Sequence, residues 1–394
     1  MRIHDFTRLA NLLAKRPNSC TFEPNFFSFF HAPVRAFGGA YMFGFQRSFW
    51  SAFILTTSLV ACTRTAPQKN ASGGETANAK GAVAGAGLKV GLVLDKGGKD
   101  DKSFNSSAFR GATQAVQDLG IELKDVESPD DAAFEPALRT FAERGYPLVI
   151  AVGFSQIDAV KKVAPQYPQT HFAIVDGLVE GSNVAALMFA EHEGSYMVGY
   201  LAGLITKTDK VGFIGGMDIP LIRRFEMGYE AGARAADPKV EVVVNYAGVN
   251  STAWANPSRG KELALAQYGR GVDVIFHAAG ATGIGVFDAA EEKNTYVIGV
   301  DSNQNGIKPG RVATSMLKRV DTAVYDIISD QVKNKFVSGT RSFGLKDKGV
   351  DYAVDENNQK LIEPYKDKMN QLRDKIMRGE IKVPDFYETS KKRL

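Results

Sequence analysis

The chain has 394 residues, 23% charged and 44% hydrophobic, which suits about two globular domains and excludes the disordered and fibrous classes. Its formal charge of +4 belongs to the front: residues 1–61 hold six Lys or Arg against two Asp or Glu, leaving 42 of each sign behind them, so nothing electrostatic argues for a nucleic-acid partner. Two cysteines exclude a disulfide framework and a Cys-rich metal cluster.

Residues 1–61 also carry 11 of the 25 Phe, a composition unlike the rest of the chain. Residues 49–61 (FWSAFILTTSLVA) form a 13-residue run without charge. That is short of the roughly 20 residues a membrane span needs and matches a signal-peptide h-region. The run ends in Leu59-Val60-Ala61-Cys62, which resembles a bacterial lipobox and makes Cys62 the expected lipidation site. A signal peptide of ordinary length would start at Met42, so residues 1–41 read as an extension ahead of the true start. Residues 63–87 are rich in Ala, Gly, Thr and Asn and read as a flexible tether with a span of roughly 25–30 Å.

From residue 88 onward, short apolar runs recur at 89–95, 148–153, 171–176, 210–216, 240–246, 273–279 and 296–301. They are nearly continuous Val, Ile, Leu and Phe, as parallel strands covered on both faces require. Amphipathic stretches at 109–119, 134–144, 196–205, 225–236, 259–268 and 285–293 alternate with them as helices, which predicts an α/β chain with parallel sheets. Some 300 residues exceed one comfortable core, so the expectation is two doubly wound lobes, one from 88–191 and 280–312, the other from 192–279 and 313–394. The last eighty residues predict a helix over 320–336, a hairpin over 343–354 and a charged helix over 361–378, all packed on the second lobe.

Three predicted strands end in Asp95, Asp176 and Asp301. Ligands of open α/β sheets bind beyond the carboxyl ends of the strands, so the three carboxylates could converge on one site; equally, an Asp there could cap the next helix. Asn105 and Phe109 fall at i and i+4 on one helix face, an amide and a ring suited to a planar heterocycle, or else a cap and a core residue. The segment 277–285 (HAAGATGIG) could cradle an anion or let a ligand approach the backbone, but its glycines do not follow G-x-G-x-x-G, and no P-loop occurs. His171, His192 and His277 lack metal-ligand spacing, and no nucleophile elbow is present, so neither a metal, a cofactor nor an enzyme activity is expected.

The segments 100–111 (DDKSFNSSAFRG), 173–177 (AIVDG), 212–228, 254–264 (WANPSRGKELA), 277–285 and 297–321 look like the basic membrane lipoprotein family, purine nucleoside receptors of ABC importers. The resemblance implies a type I periplasmic-binding-protein fold, two lobes joined by three crossovers. It implies Phe109 and Trp254 stacked on a base, Asn105 and Asp176 on its edge, Asp301 and Lys318 on the ribose, and Asp95 and Gly280 lining the crevice. The second stacking position is Trp254 where the family mostly has Phe. The partners implied are a nucleoside, an ABC permease and a membrane reached through the lipid on Cys62, for a monomer in the bacterial cell envelope facing the periplasm or the exterior. A sugar or autoinducer receptor on the same fold, a nucleoside hydrolase and a tethered surface antigen are the competing readings.

Overall fold

The computed structural model describes residues 85–391. The expected signal run, Cys62 and nearly all of the tether lie outside the described residues.

The first sheet takes β1 (Lys89–Leu94), β2 (Glu122–Glu127), β3 (Leu148–Val152), β4 (His171–Val175) and β5 (Val184–Phe189); the second takes β6 (Lys210–Met217), β7 (Glu241–Gly248), β8 (Val274–Ala278), β9 (Tyr296–Asp301) and β10 (Val312–Lys318). Later in the chain, β11 (Gly339–Phe343) pairs with β5 and β12 (Val350–Tyr352) with β10, giving orders β11-β5-β4-β3-β1-β2 and β12-β10-β9-β8-β6-β7. Every pairing is parallel except β10–β12. The helices are α1 (Phe104–Leu119), α2 (Phe134–Glu143), α3 (Ile157–Val163), α4 (Glu191–Ile205), α5 (Pro220–Ala236), α6 (Pro257–Gly269), α7 (Gly283–Lys293), α8 (Val320–Val332), α9 (Gln359–Ile362), α10 (Lys366–Met377) and α11 (Phe386–Lys391).

Alternate residues of one strand feed opposite cores, which is why the strands read as unbroken apolar runs. Leu92 and Ile150 join Ala108 and Ala112 of α1 on one face of the first sheet, while Val93 and Val149 meet Phe134 and Leu138 of α2 on the other. In the second sheet Phe213 and Phe276 pack on Phe225 and Tyr229 of α5, and Ile214 and Ile275 on Leu263 of α6 and Phe287 of α7.

The chain crosses between lobes three times: from β5 into α4, from β10 into α8 packed on α1, and from β11 to β12. This corrects the expected boundaries. Within 280–312, β9 and the start of β10 extend the second sheet rather than the first, whereas α8 and β11 return to the first lobe from a region assigned wholly to the second. The expected hairpin over 343–354 is not one, because β11 continues the first sheet in register Phe343↔Phe189 and β12 closes the second in register Met316↔Tyr352.

Candidate ligand-binding crevice

The carboxyl ends of both sheets face a narrow crevice between the lobes, with about 70 Å³ of enclosed space. Seven of the eight expected residues line it: Asp95, Asn105 and Asp176 from the first lobe, Trp254, Gly280, Asp301 and Lys318 from the second. Phe109 does not. It lies half-buried with Lys99 Nζ 5.2 Å from its ring centroid. Four residues along α1 carry it about 6 Å from Asn105, away from the helix end that meets the crevice. Phe104, the first residue of α1, lines the wall instead, with Phe154 and Phe225.

The first wall is held by a local hydrogen-bond set. Asp101 Oδ1 accepts from the backbone N–H groups of Ser103 (2.8 Å) and Ser106 (3.0 Å), and Oδ2 from that of Asn105 (2.8 Å), capping α1. Asn105 Oδ1 accepts from Asp95 N at 2.9 Å, while its Nδ2 donates to Lys96 O and Asp101 Oδ2, both at 3.1 Å. Both of its N–H groups are thus engaged within the protein, leaving one lone pair on Oδ1.

Asp176 and Asp301 occupy equivalent places at the ends of their strands with φ of 62° and 63°. Few residue types tolerate this left-handed conformation, and Asp is one that does. Asp301 Oδ2 accepts from Ser103 Oγ across the lobes at 2.5 Å, and Asp95 Oδ2 accepts from Ser155 Oγ at 3.0 Å. Lys318, 1% exposed, places Nζ 2.5 Å from Asp176 Oδ2 and 3.0 Å from Glu191 Oε1. The same ammonium lies 5.1–5.4 Å from the ring centroids of Phe104, Phe189 and Phe225. Asp176 Oδ1 is buried with no hydrogen-bond partner.

Burial pushes the Asp301 carboxyl up to about 7 against the pull of Lys318 and Ser103. Burial likewise raises Asp95 and Asp176 to about 6, with the charge of Glu191 adding to the rise at Asp176. For Lys318, burial pulls the ammonium down, but Asp176, Glu191 and Asp301 outweigh it and the group is raised.

Trp254 ends a short turn (Ser251–Trp254) after β7. Its indole lies against the backbone of Gly216 so closely that any Cβ there would enter the ring. Gly280, at φ +57°, leaves room beside Trp254 O, where a Cβ would come within 3.2 Å. The indole stands edge-on to Phe154 of the first lobe, centroids 6.0 Å apart at 71°, so these two rings face each other across the crevice. Trp254 Nε1 is buried without a partner. At the rim, Lys96 Nζ donates to Ser251 Oγ across the lobes at 2.5 Å and pairs with Asp131 at 3.5 Å.

Of the segment 277–285, Ala278, Ala279 and Gly280 line the crevice. His277 lies beneath them, fully buried edge-on to Phe287, and burial lowers its pKa to about 3. Among the described residues no group of three His, Cys, Asp or Glu is placed to hold a metal ion, and no helix is long and apolar enough to cross a membrane. Sequence reasoning missed Phe104, Phe154 and Phe225; the position of Phe154, directly after a predicted strand's carboxyl end, was the available signal.

Comparison with known proteins gives one family. Residues 88–386 match the model described as ABC transporter substrate-binding protein PnrA-like. A CD4+ T-cell-stimulating antigen of Listeria monocytogenes is 36% identical over 75% of this chain and 88% of its own length. The ABC transporter nucleoside-binding protein BmpA of Lactococcus lactis is 34% identical over 75% of this chain and 89% of its own. A solved ABC transporter solute-binding protein from Aeropyrum pernix K1 superposes with a TM-score of 0.68 at 30% identity, covering 75% of this chain and 94% of that one. The two lobes and three crossovers are those of a type I periplasmic-binding protein.

Proposed function

This chain belongs to the PnrA-like family of ABC transporter substrate-binding proteins, and within that role we propose that its crevice captures a purine nucleoside outside the cytoplasmic membrane. One observation carries the reading: the crevice joins an aromatic ring from each lobe to buried carboxylates, while both lining lysines are already paired with acids. A phosphate or carboxylate ligand would meet Asp95, Asp101, Asp176 and Asp301 with no free cation among the described lining residues to answer it. A neutral ligand with a flat π-face and hydroxyl donors answers both features. Stacking is worth roughly 1–3 kcal/mol per base, and hydroxyl groups donating to carboxylates add roughly 1.5–3 kcal/mol each. The nucleoside-binding relative from Lactococcus supports the same choice.

Calorimetric titration with guanosine, inosine, ribose and guanosine monophosphate tests the reading. The nucleosides bind and the monophosphate and ribose do not; ribose binding as tightly as inosine would turn the assignment to a sugar receptor. Hypoxanthine accumulating from inosine would turn it to a hydrolase. Trp254→Ala should weaken guanosine and free hypoxanthine alike, by roughly 5- to 150-fold, because each loses the same stack. A loss confined to the nucleoside would move Trp254 to the ribose.

The proposal extends to a lipid anchor at Cys62, which would hold the lobes near the membrane on the tether of residues 63–87. Cys62→Ala should leave the protein without incorporated palmitate and release it from the membrane fraction. Undiminished labelling of the variant would remove Cys62 from that role.

A further inference from the structure

Two charged residues that do not line the crevice stand directly behind those that do. Glu191, the first residue of α4 and so of the first crossover, is wholly buried. One carboxylate oxygen lies 3.0 Å from Lys318 Nζ, and the other accepts from Arg224 Nη1. Arg224 of α5 also donates from Nη1 to Phe189 O at 2.6 Å and grips Asp385 with Nε and Nη2 at 2.8 and 3.0 Å. Its Nη2 lies 3.0 Å from His192 Nδ1, and its guanidinium 4.6 Å from the ring centroid of Tyr387. Charges of alternating sign therefore run from the crevice to the C-terminal segment: Asp176, Lys318, Glu191, Arg224, Asp385.

A buried ion series of this kind is a poor source of stability, since each charge gives up its hydration and well-packed apolar residues would serve as well. What it does supply is placement. Lys318 could collapse fully onto Asp176 and occupy both carboxylate oxygens; Glu191 draws the ammonium back, and Arg224 holds Glu191 where it can do so. We propose that Glu191 and Arg224 are positioning residues for ligand capture, keeping Asp176 Oδ1 open and its carboxylate turned to the ligand. This rests on reading the crevice as the ligand site. The charged and titratable groups facing Glu191 are Lys318 from β10, Arg224 from α5, Asp176 after β4, His192 beside it on α4, and Asp385 and Tyr387 beyond Arg224.

Glu191→Gln keeps the shape and removes the charge. Guanosine affinity at pH 8 should fall roughly ten-fold, the equivalent of one charge-assisted hydrogen bond. The acid limb of binding should move to lower pH, because Glu191 is a like charge that raises Asp176, and removing it lets that carboxyl ionise earlier. A defect of packing alone would scale affinity equally at every pH and leave the limb in place. Arg224→Lys keeps the charge but loses the fork, so affinity should fall while the limb stays. Carboxyl-carbon NMR of ligand-free protein follows Asp176 directly, and its titration midpoint should drop in Glu191→Gln. Should the midpoint drop while the wild type ignores guanosine, the nucleoside reading fails and the positioning role stands. An unmoved limb and midpoint, or, where the wild type binds guanosine, an affinity unchanged in Glu191→Gln, overturns the positioning role. If Glu191→Gln does not fold, Asp385→Asn at the outer end decides: roughly two- to five-fold weaker guanosine binding is expected, and unchanged binding overturns the proposal.

Discussion

Lys318→Met should destabilise the protein by about 3–5 kcal/mol at pH 8 and recover much of that loss near pH 5. Methionine fills the space among Phe104, Phe189 and Phe225 without strain, so the cost is electrical. Without the ammonium, Asp176 and Glu191 remain buried as like charges, the situation that makes removal of one member of a buried ion pair expensive. Asp176 already titrates near 6, chiefly through burial, and loses the cation that holds it down. A carboxyl whose folded pKa stands above its ordinary value stabilises the fold when protonated, and that stability disappears as pH rises through the folded pKa. The deficit should therefore grow as pH rises above about 6, where the native carboxyl ionises while the variant's, freed of the cation, stays protonated, and level off only above the variant's raised pKa. Calorimetric melting at the two pH values measures it. Equal deficits at both would place the damage in packing rather than in the carboxylates.

Asp301→Asn should do the opposite to stability and still abolish high-affinity capture. Burial raises Asp301 to about 7, so its ionised form is a cost the folded protein bears at pH 8. Asparagine tolerates the left-handed conformation at φ 63° and removes the charge. The variant should gain on the order of 2 kcal/mol at pH 8, with the gain fading as pH falls from 7 toward 4, where the native carboxyl is itself protonated. If the carboxylate accepts from ribose hydroxyls, nucleoside affinity should drop roughly ten- to 150-fold. Free hypoxanthine, lacking those hydroxyls, should change little. Equal losses for guanosine and hypoxanthine in a well-folded variant would take Asp301 out of the ribose contact. Such a gain of stability against a loss of binding is what a site kept charged for its ligand produces.

Most apolar strands were legible because two-faced burial leaves an unbroken hydrophobic run, as at 148–152 and 274–278, although the buried β5 (VAALMF) and β10 (VATSMLK) went unread. β2 was not legible either. Its sequence ELKDVE lies at the sheet edge, where polar residues alternate with half-buried ones and nothing apolar accumulates. Lobe membership was also hidden, since β9 and β10 join the second sheet and β11 the first through hydrogen bonds that no local pattern records. At the site, Asp95, Asp176 and Asp301 stood out as strand-terminal carboxylates. Phe109 misled because spacing on a helix gives the face and not the distance along the axis. Glu191 and Arg224 carry no sequence signature at all, because their meaning lies in charges brought together from α4, α5 and β10.

The three crossovers are placed as the pins of a door would be. Lys318 immediately precedes one and Glu191 begins another, whereas Trp254 follows β7, the edge strand remote from β10 and β12. For any swing of one lobe about those pins, displacement grows with distance from the axis, so the ammonium and its carboxylates would hardly travel while the indole would sweep the longest arc. A gaping molecule would thus keep its polar seat assembled and lose only its aromatic lid. Polar recognition would precede enclosure, and Trp254, the one tryptophan among the described residues, would serve as a natural gauge of how far the door has shut.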